Sequence, residues 1–236
     1  MGAEQLSLVC LPFAGSGAGF FREWKKSEVA GIRVCPIQLP GREELFLEKP
    51  FEDVADAVAE LTPRIVAEVG VRNPIALFGH SLGAVLAYEI ARELGRIAHP
   101  GLHHLYVSGS PGPQSGRTER ATGLSDEEFV AKVQRFAGYR HAAFDNPGLL
   151  EVLLPILRAD VAMHENYRPT AGPPLTVPIT ALRGTRDGLV SRAQAEQWAT
   201  MTEAEFEYRE LQGVHMYLTE EPERILRIVA EGCACR

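Results

Sequence analysis

The sequence predicts an α/β fold with a mainly parallel central sheet flanked by helices. Two observations carry this prediction: short apolar runs alternate with longer amphipathic segments, and several short runs are continuous, as in strands buried on both faces. The length of 236 residues fits one such domain with a small insertion. The predicted strands are Leu6–Leu11, Ile32–Ile37, Ile75–Phe78, Leu102–Val107, Val177–Leu182 and Phe206–Leu211.

In the segments between these runs, apolar residues recur at the spacing of a helix. Apolar residues recur at three- and four-residue steps from Phe51 to Val69, which indicates one face of a helix. Pro63 lies inside this stretch and leaves open whether the helix is unbroken. Further helices are predicted over Ala84–Leu94 and near Ser191–Thr200 and Pro222–Ala230.

The alternation stops after the fourth strand, where only helical pattern is found for some sixty residues. Ser125 and Glu128 form a capping-box pattern at the start of one helix. Leu149–Val161 predicts a second helix, which Pro155 should bend. We interpret this segment as a helical lid. The predicted division is a core of residues 1–110 and 171–236 with a lid insertion of residues 111–170.

Composition and charge narrow the classes of partner and compartment. The formal net charge of -7 disfavours nucleic acid, since a phosphate backbone favours a basic surface. No apolar run approaches the length that spans a membrane, and the first residues resemble no secretory signal. We therefore expect a soluble cytoplasmic protein.

The four cysteines favour free thiols over a metal site. Cys10 and Cys35 lie inside apolar runs, where a thiol behaves as a small hydrophobic group. Cys233 and Cys235 form a lone C-x-C pair without a second ligand pair at zinc spacing. This usage suits a reducing compartment, and no metal is expected.

The segment Gly79-His80-Ser81-Leu82-Gly83 matches the G-x-S-x-G nucleophile elbow. In this elbow a strained turn between a strand and a helix exposes the serine hydroxyl. Glycines two residues away on either side leave room where a Cβ would collide with backbone. A buried strand precedes the pattern and a helix follows it, as the α/β-hydrolase fold requires. We interpret Ser81 as the nucleophile and His80 as a residue that packs or hydrogen-bonds locally.

A serine nucleophile needs a base and an acid, which follow it along the chain in this fold. Asp187 lies in a Gly-rich loop directly after a predicted strand. His215 follows the last predicted strand and is the best placed of the seven histidines. Singly, Asp187 is also consistent with an ordinary turn residue. With Ser81 they predict a Ser-His-Asp triad.

An acyl-transfer site also needs donors for the oxyanion. The Gly-rich stretch after the first strand, Pro12–Gly19, can bring its backbone close to the serine. We expect the two donors to be the N–H groups of Ala14 and Leu82. A phosphate-binding loop is disfavoured because Phe20 occupies the position of the last glycine of a G-x-G-x-x-G pattern.

Together, five segments make the sequence resemble the type II thioesterases, the editing thioesterases of polyketide and nonribosomal peptide assembly lines. They are Leu11-Pro12-Phe13-Ala14-Gly15, Ile37-Gln38-Leu39-Pro40-Gly41-Arg42-Glu43, Gly79-His80-Ser81-Leu82-Gly83-Ala84, Leu157-Arg158-Ala159-Asp160 and His215-Met216-Tyr217-Leu218. The resemblance implies hydrolysis of acyl groups from the phosphopantetheine arm of an acyl- or peptidyl-carrier protein, without a cofactor of the enzyme's own. It places the triad on Ser81, Asp187 and His215. The stretch from Arg135 to His141 departs from the family pattern.

Three alternatives remain open. An esterase or lipase acting on oxoesters would use the same triad, and a product-releasing thioesterase would use the same chemistry. A non-catalytic binding protein of this fold is disfavoured by the intact triad. The chain's own Met1 favours a free-standing editing enzyme over a release domain.

Docking of an acidic carrier protein on this acidic chain would need a local basic patch. Arg117 and Arg120 are the first candidates in the insertion. Ordinary solvated charges are the alternative interpretation. Further candidates are Lys132, Arg135 and Arg140.

Overall fold

The computed structural model describes residues 5–27, 29, 31–70, 73–115, 120–137 and 146–234. Within these residues, six strands form one sheet in the order β2-β1-β3-β4-β5-β6, and every neighbouring pair is parallel. The predicted parallel α/β sheet is confirmed. The strands are β1 (Leu6–Leu11), β2 (Ile32–Pro36), β3 (Ile75–His80), β4 (Leu102–Ser108), β5 (Ile179–Gly184) and β6 (Phe206–Leu211).

Helices cover both faces of the sheet, which explains the continuous apolar strands. Val9 and Leu77 point to one face and pack with the first two helices, whereas Leu8 and Phe78 point to the other and pack with the last helix. The α-helices of the described residues are α1 (Val54–Val69), α2 (Leu82–Arg96), α3 (Asp126–Ala137), α4 (Pro147–Asn166), α5 (Arg192–Glu196) and α6 (Pro222–Ala234).

Helix α1 begins later than predicted and is not broken by its proline. Asp53 caps it by accepting a hydrogen bond from the Ala55 N–H at 2.7 Å, so Phe51 lies outside the helix. Pro63 lies on the exposed side, as does Ala59, whose carbonyl loses its helical donor. Water can satisfy that carbonyl, so the helix continues through the proline.

Helices α3 and α4 connect β4 to its neighbour β5. Ser125 and Glu128 form the predicted capping box, with the Glu128 N–H donating to Ser125 Oγ at 3.3 Å and the Ser125 N–H donating to Glu128 Oε2 at 3.1 Å. Helix α4 runs through Pro155 and ends beyond the predicted Val161. Phe129 of α3 is buried in a small cluster with Leu157 of α4.

Smaller differences concern the ends of elements and the cysteines. The helix predicted over Ser191–Thr200 divides into α5 and a 3-10 helix, Gln197–Met201. Cys10 and Cys35 are buried free thiols, as predicted, whereas Cys235 and the side chain of Cys233 lie outside the described residues. Of the helices in the part of the chain described, none is long and apolar enough to cross a membrane.

Candidate active site

Ser81 occupies a strained turn between β3 and α2. Its backbone has φ 54° and ψ -114°, a conformation that residues other than glycine rarely adopt. A Cβ on Gly79 would lie 1.9 Å from the carbonyl oxygen of Gly83, and a Cβ on Gly83 would lie 2.2 Å from that of Leu11. Both glycines are therefore required by close backbone contact, as the elbow pattern predicts.

Asp187 and His215 lie beyond the ends of β5 and β6 and are hydrogen-bonded to each other. The distance from His215 Nδ1 to Asp187 Oδ2 is 2.9 Å, and both side chains are buried. The other carboxylate oxygen of Asp187 accepts from the N–H groups of Leu189 at 2.8 Å and Val190 at 3.1 Å. Burial raises the pKa of Asp187, but the hydrogen bonds from His215 and the two N–H groups outweigh it and leave that pKa below its ordinary value.

His80 is the second histidine of this site, and it forms a hydrogen-bonded chain of its own. Its Nδ1 lies 2.8 Å from Ser108 Oγ, which lies 2.5 Å from the hydroxyl of Tyr217. Burial, with a smaller contribution from His215, lowers the pKa of His80 well below its ordinary value. His80 therefore hydrogen-bonds locally, as expected, and remains neutral; the sequence analysis found no role for Ser108.

The three predicted triad residues lie at the same edge of the sheet. The Ser81 N–H donates to the Ser108 carbonyl at 2.8 Å, which fixes the elbow against the end of β4. The ring of His80, the residue before Ser81, lies 4.8 Å from the ring of His215. The nucleophile candidate and the Asp187–His215 pair are thus brought together.

The predicted oxyanion donors lie on two segments in close contact. Ala14 lies in a turn closed by a hydrogen bond of 3.0 Å from the Ser16 N–H to the Phe13 carbonyl, with Gly15 at φ 78°. Leu82 opens α2, where N–H groups have no partner within the helix. The carbonyl of Leu11 lies against the first turn of α2 at Gly83. The loop that carries Ala14 begins just after Leu11 in the chain, so it starts beside the helix that Leu82 opens.

Two residues of the family-like segments, Arg42 and Asp160, form a buried ion pair. Arg42 Nη1 lies 2.7 Å from Asp160 Oδ2, and Nη2 lies 2.9 Å from Oδ1. Their side chains are 7% and 1% exposed. The sequence analysis gave no role to either residue, although both stood in segments that carry the resemblance.

The basic candidates of the insertion are only partly described. Arg120 pairs with the buried carboxylate of Glu165 at 3.7 Å and donates to Asn166 Oδ1 at 2.6 Å. Arg117 and Arg140 lie outside the described residues. Arg120 thus has a structural partner, and its role in docking stays a prediction. In the described ranges no group of three His, Cys, Asp or Glu side chains is arranged to hold a metal ion.

A parallel sheet with a nucleophile elbow after β3 and an Asp–His pair after β5 and β6 defines the α/β-hydrolase fold. The model of the thioesterase domain family matches residues 7–233, and the chain belongs to this family. It is therefore a hydrolase that acts on thioesters.

Individual relatives agree with this assignment. The chain is 34% identical over 229 residues to the linear gramicidin dehydrogenase LgrE of Brevibacillus parabrevis, which covers 95% of this chain and 86% of that protein. Despite that name, Phe20 of the present chain interrupts the dinucleotide-binding glycine pattern. The structure of BorB, the type II thioesterase from the borrelidin biosynthetic cluster, is 36% identical with a TM-score of 0.85 over 97% of this chain and 91% of that one. YbtT, a type II thioesterase from the yersiniabactin NRPS/PKS pathway, is 26% identical with a TM-score of 0.87, and the match covers 98% of this chain and 93% of YbtT. The predicted resemblance to type II thioesterases is confirmed.

Proposed function

We propose that this thioesterase hydrolyses acyl groups from the phosphopantetheine arm of acyl- or peptidyl-carrier proteins, and so removes stalled or aberrant acyl units from a polyketide or nonribosomal peptide synthase. The observation that carries the proposal is the buried hydrogen bond between His215 and Asp187 beside the Ser81 elbow. The similarity to BorB and YbtT, both type II thioesterases of biosynthetic pathways, supports this substrate class. A cytoplasmic location accords with it.

The first half-reaction transfers the acyl group to Ser81. With the Nδ1 proton directed to Asp187, His215 presents Nε2 as the base that takes the proton of the serine hydroxyl. The serine oxygen forms a bond to the thioester carbonyl carbon, and the carbonyl oxygen becomes an oxyanion. Asp187 stabilises the imidazolium that results.

Collapse of the oxyanion breaks the carbon–sulfur bond. The N–H groups of Ala14 and Leu82 stabilise the oxyanion before collapse, where one such donor contributes about 10²–10³-fold in kcat. The leaving thiolate has a conjugate acid of pKa about 8.5, so it needs less help from an acid than an alkoxide does. The His215 imidazolium gives its proton to the departing thiolate and is neutral again. Water then attacks the acyl-serine carbonyl carbon while His215 takes a proton from it. Collapse of this second oxyanion breaks the bond to the Ser81 oxygen, which recovers the proton from His215 as the free acid leaves.

A panel of matched substrates tests this proposal. The panel compares three substrates that carry the same acyl chain: acyl-carrier protein, an acyl-thioester of N-acetylcysteamine and the corresponding oxoester. The proposal requires kcat/KM to be greatest for the carrier protein and least for the oxoester. Preference for the oxoester would assign the protein to esterases, and cyclised rather than hydrolysed product would assign it to release thioesterases.

A further inference from the structure

The buried ion pair of Arg42 and Asp160 joins three segments that are far apart in the chain. Arg42 belongs to the loop after β2, and Asp160 belongs to α4 of the insertion. The third segment is the turn after β1: the Gly15 N–H donates to Asp160 Oδ2 at 2.7 Å, and Arg42 Nη1 donates to the Ser16 carbonyl at 2.9 Å. Each member of the pair therefore holds one backbone group of that turn.

The turn held by these contacts contains the peptide unit that carries the Ala14 N–H. The carbonyl of the same peptide unit belongs to Phe13 and accepts from the Ser16 N–H at 3.0 Å. The next peptide unit presents the Gly15 N–H to Asp160, and Gly15 has the positive φ that a type II turn requires at its third residue. Asp160 and Arg42 thus fix two backbone groups that follow Ala14 in this turn.

We infer that Arg42 and Asp160 are positioning residues for the oxyanion donor at Ala14, and that they couple the place of helix α4 to the chemistry at Ser81. This inference rests on the proposed function. The hydrogen bonds of Asp160 in the described residues go to Gly15 and Arg42 rather than to the Asp187–His215 pair, so Asp160 acts through the turn.

A purely structural role has different consequences. Removing one member of a buried ion pair destabilises a protein strongly, because the other charge is left without a partner. If the pair only held α4 in place, its loss would lower stability and leave turnover by the folded molecules unchanged. A positioning role requires a loss in kcat itself, since the oxyanion donor acts in the transition state.

The variant Asp160→Asn separates the two roles. An amide keeps the shape, but its NH2 group takes the place of one carboxylate oxygen. In the place of Oδ2 it faces the Gly15 N–H and Arg42 Nη1, and in the place of Oδ1 it faces Arg42 Nη2, so at least one donor loses its acceptor. Glu165→Gln is the matched control: Glu165 is also buried on α4 and accepts from the backbone N–H groups of Ala121 and Thr122, at a place away from the turn.

Four quantities are measured for each folded variant: the melting temperature, kcat and KM with an acyl-thioester of N-acetylcysteamine, and Ki of a trifluoromethyl ketone, which forms a tetrahedral adduct with serine. We expect Asp160→Asn to lower kcat about 10- to 100-fold and to raise Ki in proportion, with KM within about twofold. Glu165→Gln should lower the melting temperature and leave kcat and Ki unchanged.

A second variant covers the case in which Asp160→Asn does not fold. Arg42→Lys keeps a cation beside Asp160 but loses the two-point contact and the bond to Ser16, and it should show the same loss in kcat. Turnover equal to Glu165→Gln in whichever variant folds would overturn the inference. An inactive wild type in which a fluorophosphonate does not label Ser81 would instead remove the proposed function.

Discussion

The rings of His80 and His215 lie with their centroids 4.8 Å apart and their planes tilted by 50°. Gly109 leaves the space for this contact, because a Cβ there would lie 2.4 Å from Cε1 of His80 and 3.1 Å from Cε1 of His215. The proposed catalytic base therefore packs on a histidine that is fully buried and neutral. This neighbour makes stability depend on pH in a way that can be measured.

His80 should weaken the folded state in mild acid. Its pKa in the folded protein is well below the ordinary value because of burial, so below about pH 6.5 the unfolded chain binds a proton that the folded chain does not. The free energy of unfolding then falls by about 1.4 kcal/mol per pH unit from this group. We expect His80→Asn, which can keep a hydrogen bond to Ser108, to lose less stability than wild type between pH 7.5 and 5.5.

Chemical unfolding of both proteins at several pH values gives the comparison. Other histidines are present in both chains, so the difference between the two curves isolates His80. Two parallel curves would mean that His80 takes a proton in the folded state as easily as in the unfolded one.

Ser81→Ala should abolish thioester hydrolysis without unfolding the protein. Loss of the nucleophile costs about 10⁴-fold or more in kcat, and the remaining activity comes from the oxyanion donors. Ser7→Ala is the control, because this serine is buried in β1 away from the carboxyl edge of the sheet. Steady-state turnover and melting temperature are measured for both, and activity of Ser81→Ala within tenfold of wild type would exclude the serine mechanism.

Asp187→Asn should retain the fold and lower kcat by about 10⁴-fold, because an amide favours the wrong tautomer of His215. Asp53→Asn is its control: the new residue caps α1 as well as aspartate does. The rate is followed with the N-acetylcysteamine thioester. If Asp187→Asn keeps more than a tenth of wild-type kcat, another group must act as the acid of the triad.

Two glycines of helix α2 should respond in opposite directions to alanine. At Gly83 the new Cβ would lie 2.2 Å from the carbonyl oxygen of Leu11, so the substitution should cost about 3 kcal/mol or prevent folding. At Gly95 the Cβ would have no neighbour within 4 Å, and the gain in helix propensity should stabilise the protein by about 0.5–1 kcal/mol. Thermal unfolding measures both, and equal effects would contradict the backbone contact at the elbow.

Much of the fold follows from the sequence because its signals are local. Strand β3 is buried on both faces and therefore reads as a continuous apolar run, and the elbow glycines lie within two residues of Ser81. Asp187 and His215 could be assigned because they follow recognisable strands. The continuity of α1 through Pro63 could not be predicted, since it depends on which side of the helix faces solvent.

The relationships that the sequence hides are those between distant residues. Arg42 and Asp160 are separated by 118 positions, and Ser108 and Tyr217 by 109. The resemblance marked the segments that contain Arg42, Asp160 and Tyr217, but no pattern within a segment indicates which side chain it will meet. Such pairs depend on the packing of α4 and on the sheet order.

Carrier-protein docking gives the last prediction, and the structure changes which residues should test it. Arg120 pairs with the buried Glu165, so its reversal would disturb the insertion as well as any docking surface. Arg135 is exposed in the last turn of α3 and is the better choice. If an acidic carrier protein docks here, Arg135→Glu should raise KM for acyl-carrier protein several-fold and leave KM for the small thioester unchanged.

Arg227→Glu on α6 makes the same change in net charge at another exposed site. It separates a local docking contact from the overall charge, because long-range repulsion would affect both variants alike. Added salt should reduce kcat/KM for the carrier protein in wild type and have less effect in Arg135→Glu, since the attraction that salt screens is already lost. Equal KM values for the carrier protein in Arg135→Glu and Arg227→Glu would assign Arg135 to the ordinary solvated surface.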